Sequence, residues 1–268
     1  MDEVDTLTFP LIIANGASQI SKRYYSNLLT TPEDNICLYP DVVARELNGF
    51  CLNVAVPGSS NRRLVRRTLY ECIKQLSTNP GQPIIVLLEL TFDIRDEIWH
   101  AGQSTDPGES DFQSLQLART QSWWQNRTTK LGADDRVVLP GLNSVEQKYL
   151  QKWQEGSCYF YSPWARNINL YTDIIMLVGF LKQHSIQYAI YRGNPCLPLD
   201  PEHLLDSFKD VLHRDPGVFD LFDFSFTGWC VDRGHVPLDY QDQPHLGHPS
   251  LLAHEEFGIF LTNHLQDR

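Results

Sequence analysis

Residues 83–90 read PIIVLLEL, a run that is apolar on both of its alternating faces except for Glu89. A strand of this kind is typical of a parallel sheet that helices cover on both sides. Three other short apolar runs share this character: FPLIIA at residues 9–14, CLNVAV at 51–56 and IQYAIY at 186–191. We therefore predict that the four runs are strands of one parallel sheet.

Segments with helical signals alternate with these strands. Pro40 in a first turn and Gly49 past a last turn bound one predicted helix, and Ser59 or Ser60 can cap the next one. The remaining predicted helices cover residues 144–154, 171–183, 208–212 and about 249–265, and residues 220–226 are a short strand or a loop. This alternation predicts the α/β class, as a flavodoxin-like three-layer sandwich around a central parallel sheet.

Residues 92–167 interrupt the pattern with a long polar stretch, which includes a predicted loop at 103–113. Because the stretch lies between two strands of one sheet, we interpret it as a partly helical insertion in a single domain of residues 1–268. Tryptophans are concentrated in or beside it: Trp99, Trp123, Trp124, Trp153 and Trp164. They indicate either a small satellite core or a wall on which sugar rings stack.

The chain is acidic, with 22 lysines and arginines against 33 aspartates and glutamates and a formal net charge of −11. Because an acidic surface repels phosphate backbones, we predict no nucleic-acid partner. One basic cluster stands out: Arg62, Arg63, Arg66 and Arg67. We interpret it as a solvated helix end, with a local anion site as the alternative.

The first ten residues lack a basic leader, and no apolar stretch is long enough to span a bilayer. The 6 cysteines form no CxxC pair and no metal-ligand spacing, which is typical of reduced thiols in an intracellular protein. These observations predict a cytoplasmic protein with no membrane partner, no metal and no cofactor.

In an open parallel sheet, ligands bind beyond the carboxyl ends of the strands. Polar segments follow three of the predicted strands at this edge: NGAS at residues 15–18, PGSSN at 57–61 and ELTFD at 89–93. A fourth polar segment, DQPHLGHPS at residues 242–250, precedes the final helix. The predicted fold brings these four segments together although they are far apart in the chain.

This order of motifs resembles the SGNH/GDSL hydrolases, and it is most similar to divergent phage and bacterial members whose first block reads NGxS. The resemblance covers the outer blocks of the chain and leaves out residues 92–167. It implies an esterase in which Ser18 is the nucleophile and His248 is the base that takes the Ser18 proton. It also implies that the backbone N–H groups of Ser18 and Gly58 hold the oxyanion.

Two positions depart from the family pattern. The aspartate that the family places three residues before the catalytic histidine is His245 in this chain. We predict Asp242 as the carboxylate that orients His248, with Asp239 or a backbone carbonyl as alternatives. His245 itself is predicted to orient the ring or to contact substrate.

The second departure is the asparagine that the family places after its third strand. Thr91 is the nearest polar substitute, and Asn61 can reach in from the second polar segment, so both are predicted oxyanion donors. Arg95 lies just past the third strand and is predicted either to pair with a nearby carboxylate or to bind a substrate anion.

Each motif also has a structural interpretation. Ser18 can cap a helix, His248 can be a turn residue before a proline, and His254 can pack or cap on the last helix. A metal cluster of the late histidines is a further alternative, but the spacing is not a standard zinc pattern.

The predicted function is hydrolysis of a carboxylic ester through an acyl-Ser18 intermediate, with an O-acetyl group on a glycan as the candidate substrate. The alternative is a catalytically silent protein of the same fold that binds a glycan or a protein partner. A third interpretation is a structural accessory protein of a phage or its host.

Overall fold

The computed structural model describes residues 9–57, 59–91, 95–99, 112–116, 163–195, 206–221, 223–240, 242, 244 and 247–268. Its strands are β1 (Leu11–Asn15), β2 (Phe50–Asn53), β3 (Ile84–Leu90), β4 (Arg95–Trp99), β5 (Phe112–Gln116) and β6 (Gln187–Arg192). Its α-helices are α1 (Lys22–Leu29), α2 (Tyr39–Glu46), α3 (Asn61–Thr78), α4 (Pro163–Gln183), α5 (Asp206–His213), α6 (Phe226–Asp232) and α7 (Leu251–Gln266).

The central sheet holds four parallel strands in the order β2-β1-β3-β6. β1 lies between two neighbours, so Ile12 is opposite Cys51 on one side and Ile85 on the other. Each of the four strands overlaps its predicted apolar run, and the prediction of a parallel sheet is confirmed. Because the strands are parallel, their carboxyl ends lie at one edge of the sheet.

Helices cover both faces of this sheet. Along β3, Val86 and Leu88 face a core shared with α3 and α4, whereas Ile85 and Leu87 face a core shared with α2 and α7. Successive side chains of a strand point to opposite faces, so a strand that is buried on both faces, such as β3, needs apolar residues at nearly every position. The α/β class is thereby confirmed, and the arrangement is compatible with a three-layer sandwich.

The described residues of the segment 220–226 follow the outer edge of β6 without forming a regular strand. Two isolated parallel bridges pair with β6: Ile190 with Val218, just before this segment, and Arg192 with Ser225, within it. Ser225 then caps α6 by accepting a hydrogen bond from the backbone N–H of Gly228. Of the two predictions for this segment, the loop agrees with the structure.

The described part of the insertion is an antiparallel pair of β4 with β5, together with residues 163–167, which form the start of α4. The predicted loop at 103–113 overlaps the start of β5, so residues 112 and 113 are strand rather than loop. The predicted helix at 144–154 lies outside the described residues. Trp99 belongs to β4 and Trp164 to α4, and the other tryptophans of the insertion lie outside the described residues.

The prediction that the arginine cluster is a solvated helix end is wrong for two of its members. Arg63 and Arg67 are only 5% and 7% exposed, whereas Arg62 is exposed. Arg63 Nη1 donates to Ser59 Oγ over 2.9 Å, and Arg67 forms an ion pair with Glu71 one helical turn later. The carboxylate of Glu71 compensates the charge of buried Arg67, and Ser59 accepts one hydrogen bond from Arg63.

The described cysteines are free thiols, as the spacing predicted. Cys72 and Cys230 are buried, whereas Cys37 is exposed. Among the described helices, none is both long and apolar enough to cross a membrane.

Candidate functional site

Ser18 lies in a tight turn directly after β1. The strand ends at Asn15, and Ser18 begins a short 3₁₀ turn that reaches Ile20. A Cβ at Gly16 would lie 2.7 Å from Ile20 Cδ1 and 3.0 Å from Glu89 Cβ, so only glycine fits this close approach. Ser18 is partly exposed at the carboxyl edge of the sheet.

The capping interpretation of Ser18 does not hold. The helix that follows, α1, has Ser21 as its N-cap, and the Ser21 side chain accepts from the backbone N–H of Tyr24 over 3.4 Å. The 3₁₀ turn has no side-chain cap. Among the described residues, the Ser18 hydroxyl takes part in no hydrogen bond. Its placement is therefore not explained by capping.

Side-chain amides fasten the Ser18 turn to its neighbours. Asn53 Nδ2 donates to the Ile20 carbonyl over 2.8 Å and joins the turn to the end of β2. Gln19 Nε2 donates to Asn194 Oδ1 over 2.7 Å and joins it to the segment after β6. Neither Gln19 nor Asn194 was predicted from the sequence, although a Gly-Asn pair after the fourth apolar run was a usable signal.

The carboxylate that holds His248 is Asp239. Nδ1 of His248 lies 2.8 Å from Asp239 Oδ2, and the His248 backbone N–H donates to Asp239 Oδ1 over 2.7 Å. His248 is 6% exposed. Asp239 was the first alternative for this role, whereas Asp242, the predicted partner, lies exposed. His245 lies outside the described residues.

Asp239 reaches His248 because the chain doubles back between them. The Leu238 backbone N–H donates to the His248 carbonyl over 2.8 Å, and Tyr240 adopts a left-handed φ of 49° just after Asp239. A Cβ at Gly247 would lie 2.5 Å from the Asp239 carbonyl oxygen. Glycine at this position therefore lets the two segments pass at close range.

Helix α1 packs directly on this pair. The Tyr24 ring stacks on the His248 ring with 4.1 Å between centroids and 26° between planes. The Tyr24 hydroxyl lies 3.3 Å from Asp239 Oδ2, and burial together with Asp239 raises the pKa of Tyr24 to about 12. The helix that follows Ser18 thus contacts the histidine that precedes the last helix.

Of the predicted oxyanion donors beyond Ser18, the structure describes Asn61 and Thr91, which bond to each other. The Asn61 amide is buried and forms a reciprocal pair with the Thr91 backbone: Nδ2 donates to the carbonyl over 3.1 Å and Oδ1 accepts from the N–H over 2.8 Å. Asn61 therefore joins the start of α3 to the end of β3. Gly58 lies outside the described residues, and for Arg95 only its position in β4 is described.

Of the late histidines, the three that the structure describes, His235, His248 and His254, form no metal-binding cluster. His235 Nε2 lies 3.2 Å from Glu256, whereas His254 is completely buried on α7, as the packing interpretation predicted. Within the described ranges, no group of three histidine, cysteine, aspartate or glutamate side chains could hold a metal ion.

Glu89 is a buried carboxyl beneath the Ser18 turn. The Tyr39 hydroxyl donates to Glu89 Oε2 over 3.1 Å, and the Tyr191 hydroxyl donates to that of Tyr39 over 2.6 Å. Burial raises the pKa of Glu89 to about 8, although the Tyr39 hydroxyl and the Ala17 backbone N–H lower it in part. Glu89 is therefore mostly protonated at neutral pH.

The Glu89→Gln variant is expected to change how stability depends on pH. The pKa of Glu89 rises from 4.5 to about 8 on folding, so between these values the native chain binds more protons and its free energy of unfolding falls as pH rises. Glutamine removes this dependence. Relative to wild type, the variant is expected to gain about 3–5 kcal/mol in free energy of unfolding from about pH 4 to about pH 9. Urea unfolding of both proteins across this range measures the difference.

The control for this measurement is Glu33→Gln, which changes an exposed carboxyl. Its free energy of unfolding is expected to follow wild type at every pH. A constant difference between Glu89→Gln and wild type across the range would contradict the raised pKa.

Comparison with known proteins does not identify a family for this chain. No protein-family model matches the chain, and no curated protein matches it.

Proposed function

We propose that the chain is a serine hydrolase of the SGNH/GDSL type that cleaves carboxylic esters, with Ser18 as nucleophile, His248 as base and Asp239 as the orienting carboxylate. The observation that carries the proposal is the bond between Asp239 and His248 Nδ1, formed beside the helix that follows Ser18. A histidine whose Nδ1 is bound in this way to a carboxylate is the arrangement that activates a serine hydroxyl.

The tautomer of His248 follows from this contact. A carboxylate can only accept, so Nδ1 carries the hydrogen and Nε2 of the neutral ring is the basic nitrogen. Asp239 also accepts from the His248 backbone N–H, which fixes the carboxylate as well as the ring. The contact therefore defines which ring nitrogen takes the proton in the proposed reaction.

The proposed reaction has two steps. The Ser18 oxygen attacks the ester carbonyl while His248 Nε2 takes the hydroxyl proton and then passes it to the leaving alcohol, which yields acyl-Ser18. Water then attacks the acyl group, His248 takes a proton from the water, and the carboxylic acid and free Ser18 are released. The backbone N–H groups at Ser18 and Gly58 are the proposed oxyanion donors.

The contact between Ser18 and His248 is proposed to close when substrate binds. Catalytic hydrogen bonds in unliganded enzymes are often long and shorten in the substrate complex. The Ser18 hydroxyl makes no hydrogen bond within the described part of the chain, so it has no competing partner to release. We propose an O-acetyl group on a glycan as the substrate, and the partly exposed position of Ser18 at the sheet edge is compatible with a bulky ester.

A fluorophosphonate probe tests the proposed nucleophile, because such probes react only with activated serines. Wild-type protein is expected to be labelled, with the adduct located at Ser18 by mass spectrometry of the peptides. The Ser26→Ala variant changes another serine of the same region, on α1, and is expected to be labelled at the wild-type rate. In His248→Ala the labelling is expected to be lost.

The contrary result is equally well defined. If wild-type protein stays unlabelled while a reference serine hydrolase in the same tube reacts, the hydrolase proposal fails. That result would favour the silent binding protein of the same fold.

A further inference from the structure

We infer that Tyr25 and His254 form a hydrogen-bond relay that fixes the backbone next to His248, at Pro249, so that Tyr25 is a positioning residue for His248. The inference rests on the proposed role of His248 as the base. It assigns a purpose to two completely buried polar side chains that take no direct part in the proposed reaction.

The relay runs in one direction. The Tyr39 backbone N–H donates to His254 Nδ1 over 3.3 Å, so Nδ1 is an acceptor and Nε2 of the neutral ring carries the hydrogen. His254 Nε2 lies 2.8 Å from the Tyr25 hydroxyl and donates to it. The Tyr25 hydroxyl in turn donates to the Pro249 carbonyl over 2.8 Å. Each donor in the relay has one acceptor. If the direction of one hydrogen bond were reversed, the next bond in the relay would lose its donor or its acceptor.

The surroundings of the relay keep it in this state. Burial, with a smaller contribution from His248, lowers the pKa of His254 to about 3, so the ring stays neutral over the working range of pH. Burial also raises the pKa of Tyr25 well above its ordinary value, and Glu89 adds to this effect. Because the side chains of Tyr25, Tyr39 and His254 are fully buried, water does not compete for these bonds.

The relay completes a three-point attachment of the His248 backbone. Asp239 accepts from the His248 N–H, the Leu238 N–H donates to the His248 carbonyl, and Tyr25 holds the carbonyl of Pro249, the next residue. The Tyr25 ring also meets the His248 ring edge-on, with 6.2 Å between centroids and 85° between planes. Of these three attachments, the one made by Tyr25 comes from α1, the helix after Ser18.

Removing the Tyr25 hydroxyl is therefore expected to loosen His248 relative to Ser18. Displacement of a catalytic group by about 1 Å costs about 100-fold in rate, so Tyr25→Phe is expected to lower kcat by about 10- to 100-fold with little change in KM. The same variant is expected to shift and broaden the ring-nitrogen resonances of His248 in a ¹⁵N NMR spectrum, because the ring no longer holds a single orientation.

Tyr188→Phe is the matched control. It removes the hydroxyl of another buried tyrosine, which donates to Asp215 over 2.9 Å in the core on the other face of the sheet. The control is expected to lose stability but to leave kcat and the His248 resonances at their wild-type values. A purely structural role for Tyr25 predicts the same behaviour for both variants, and that outcome would overturn the inference.

His254→Gln provides a second variant for the same test, because it removes the ring that fixes the Tyr25 hydroxyl. The His248 resonances are expected to change in this variant as in Tyr25→Phe, and unchanged resonances in both would overturn the relay. The nitrogen resonances do not depend on turnover. If no ester is hydrolysed by wild-type protein, the hydrolase proposal fails, and the resonances alone decide on the relay.

Discussion

Replacing Ser18 by alanine is expected to lower kcat for hydrolysis of a short aryl ester by on the order of 10⁴- to 10⁶-fold, since loss of a serine nucleophile has effects of this size. The physical reason is that no acyl intermediate forms without the hydroxyl, and only the oxyanion donors and substrate binding continue to act. KM is expected to change little, because the Ser18 hydroxyl contributes mainly to the transition state. Initial rates with an aryl acetate measure both constants.

The fold is expected to tolerate this substitution. Ser18 is partly exposed and caps no helix, so the free energy of unfolding of Ser18→Ala is expected to stay near wild type. Ser26→Ala serves again as the matched control and is expected to keep full activity. A Ser18→Ala protein that hydrolyses the ester at the wild-type rate would show that Ser18 is not the nucleophile.

The Asp239→Asn variant is expected to lower kcat by about 10⁴-fold, because the carboxylate holds the His248 ring in the tautomer that leaves Nε2 basic. An asparagine side chain has two N–H donors on one side of its amide. Either it presents a donor to Nδ1, which forces the hydrogen onto Nε2, or its single oxygen must replace two carboxylate contacts. Steady-state kinetics with the same aryl ester measure the loss.

Asp242→Asn is the control that separates two nearby carboxylates. Asp242 is exposed and lies three residues after Asp239, so its replacement is expected to leave kcat near wild type. The reverse result, with a large loss in Asp242→Asn and little in Asp239→Asn, would show that Asp242 orients His248 during the reaction. It would also contradict the proposed role of Asp239.

The architecture could be predicted largely from local pattern. The chain contains four mainly apolar runs separated by helical segments; β1, β3 and β6 are largely buried, whereas β2 at the sheet edge is only partly buried. The burial of Arg63 and Arg67 was missed because charge runs are usually solvated. The sequence signal for burial of Arg67 was Glu71, one helical turn later, because its carboxylate pairs with the buried guanidinium.

The candidate site was predicted in part. Glycine before Ser18 and the histidine before the final helix were identifiable because a sharp turn and a helix start have local sequence signals. Tyr24, Tyr25 and Asn194 were not identified, since their contacts join positions far apart in the chain. A tyrosine on an amphipathic helix has the same local pattern whether it packs on apolar side chains or on a histidine ring.

By itself, the sequence determined the α/β class and the four parallel strands, because short-range periodicity encodes which residues are buried. Only the tertiary structure decided which carboxylate meets His248. The left-handed turn at Tyr240 and the close approach at Gly247 fold Asp239 back onto the ring, whereas Asp242 stays in solvent. Spacing along the chain does not report such a contact, because it depends on the path of the backbone in space.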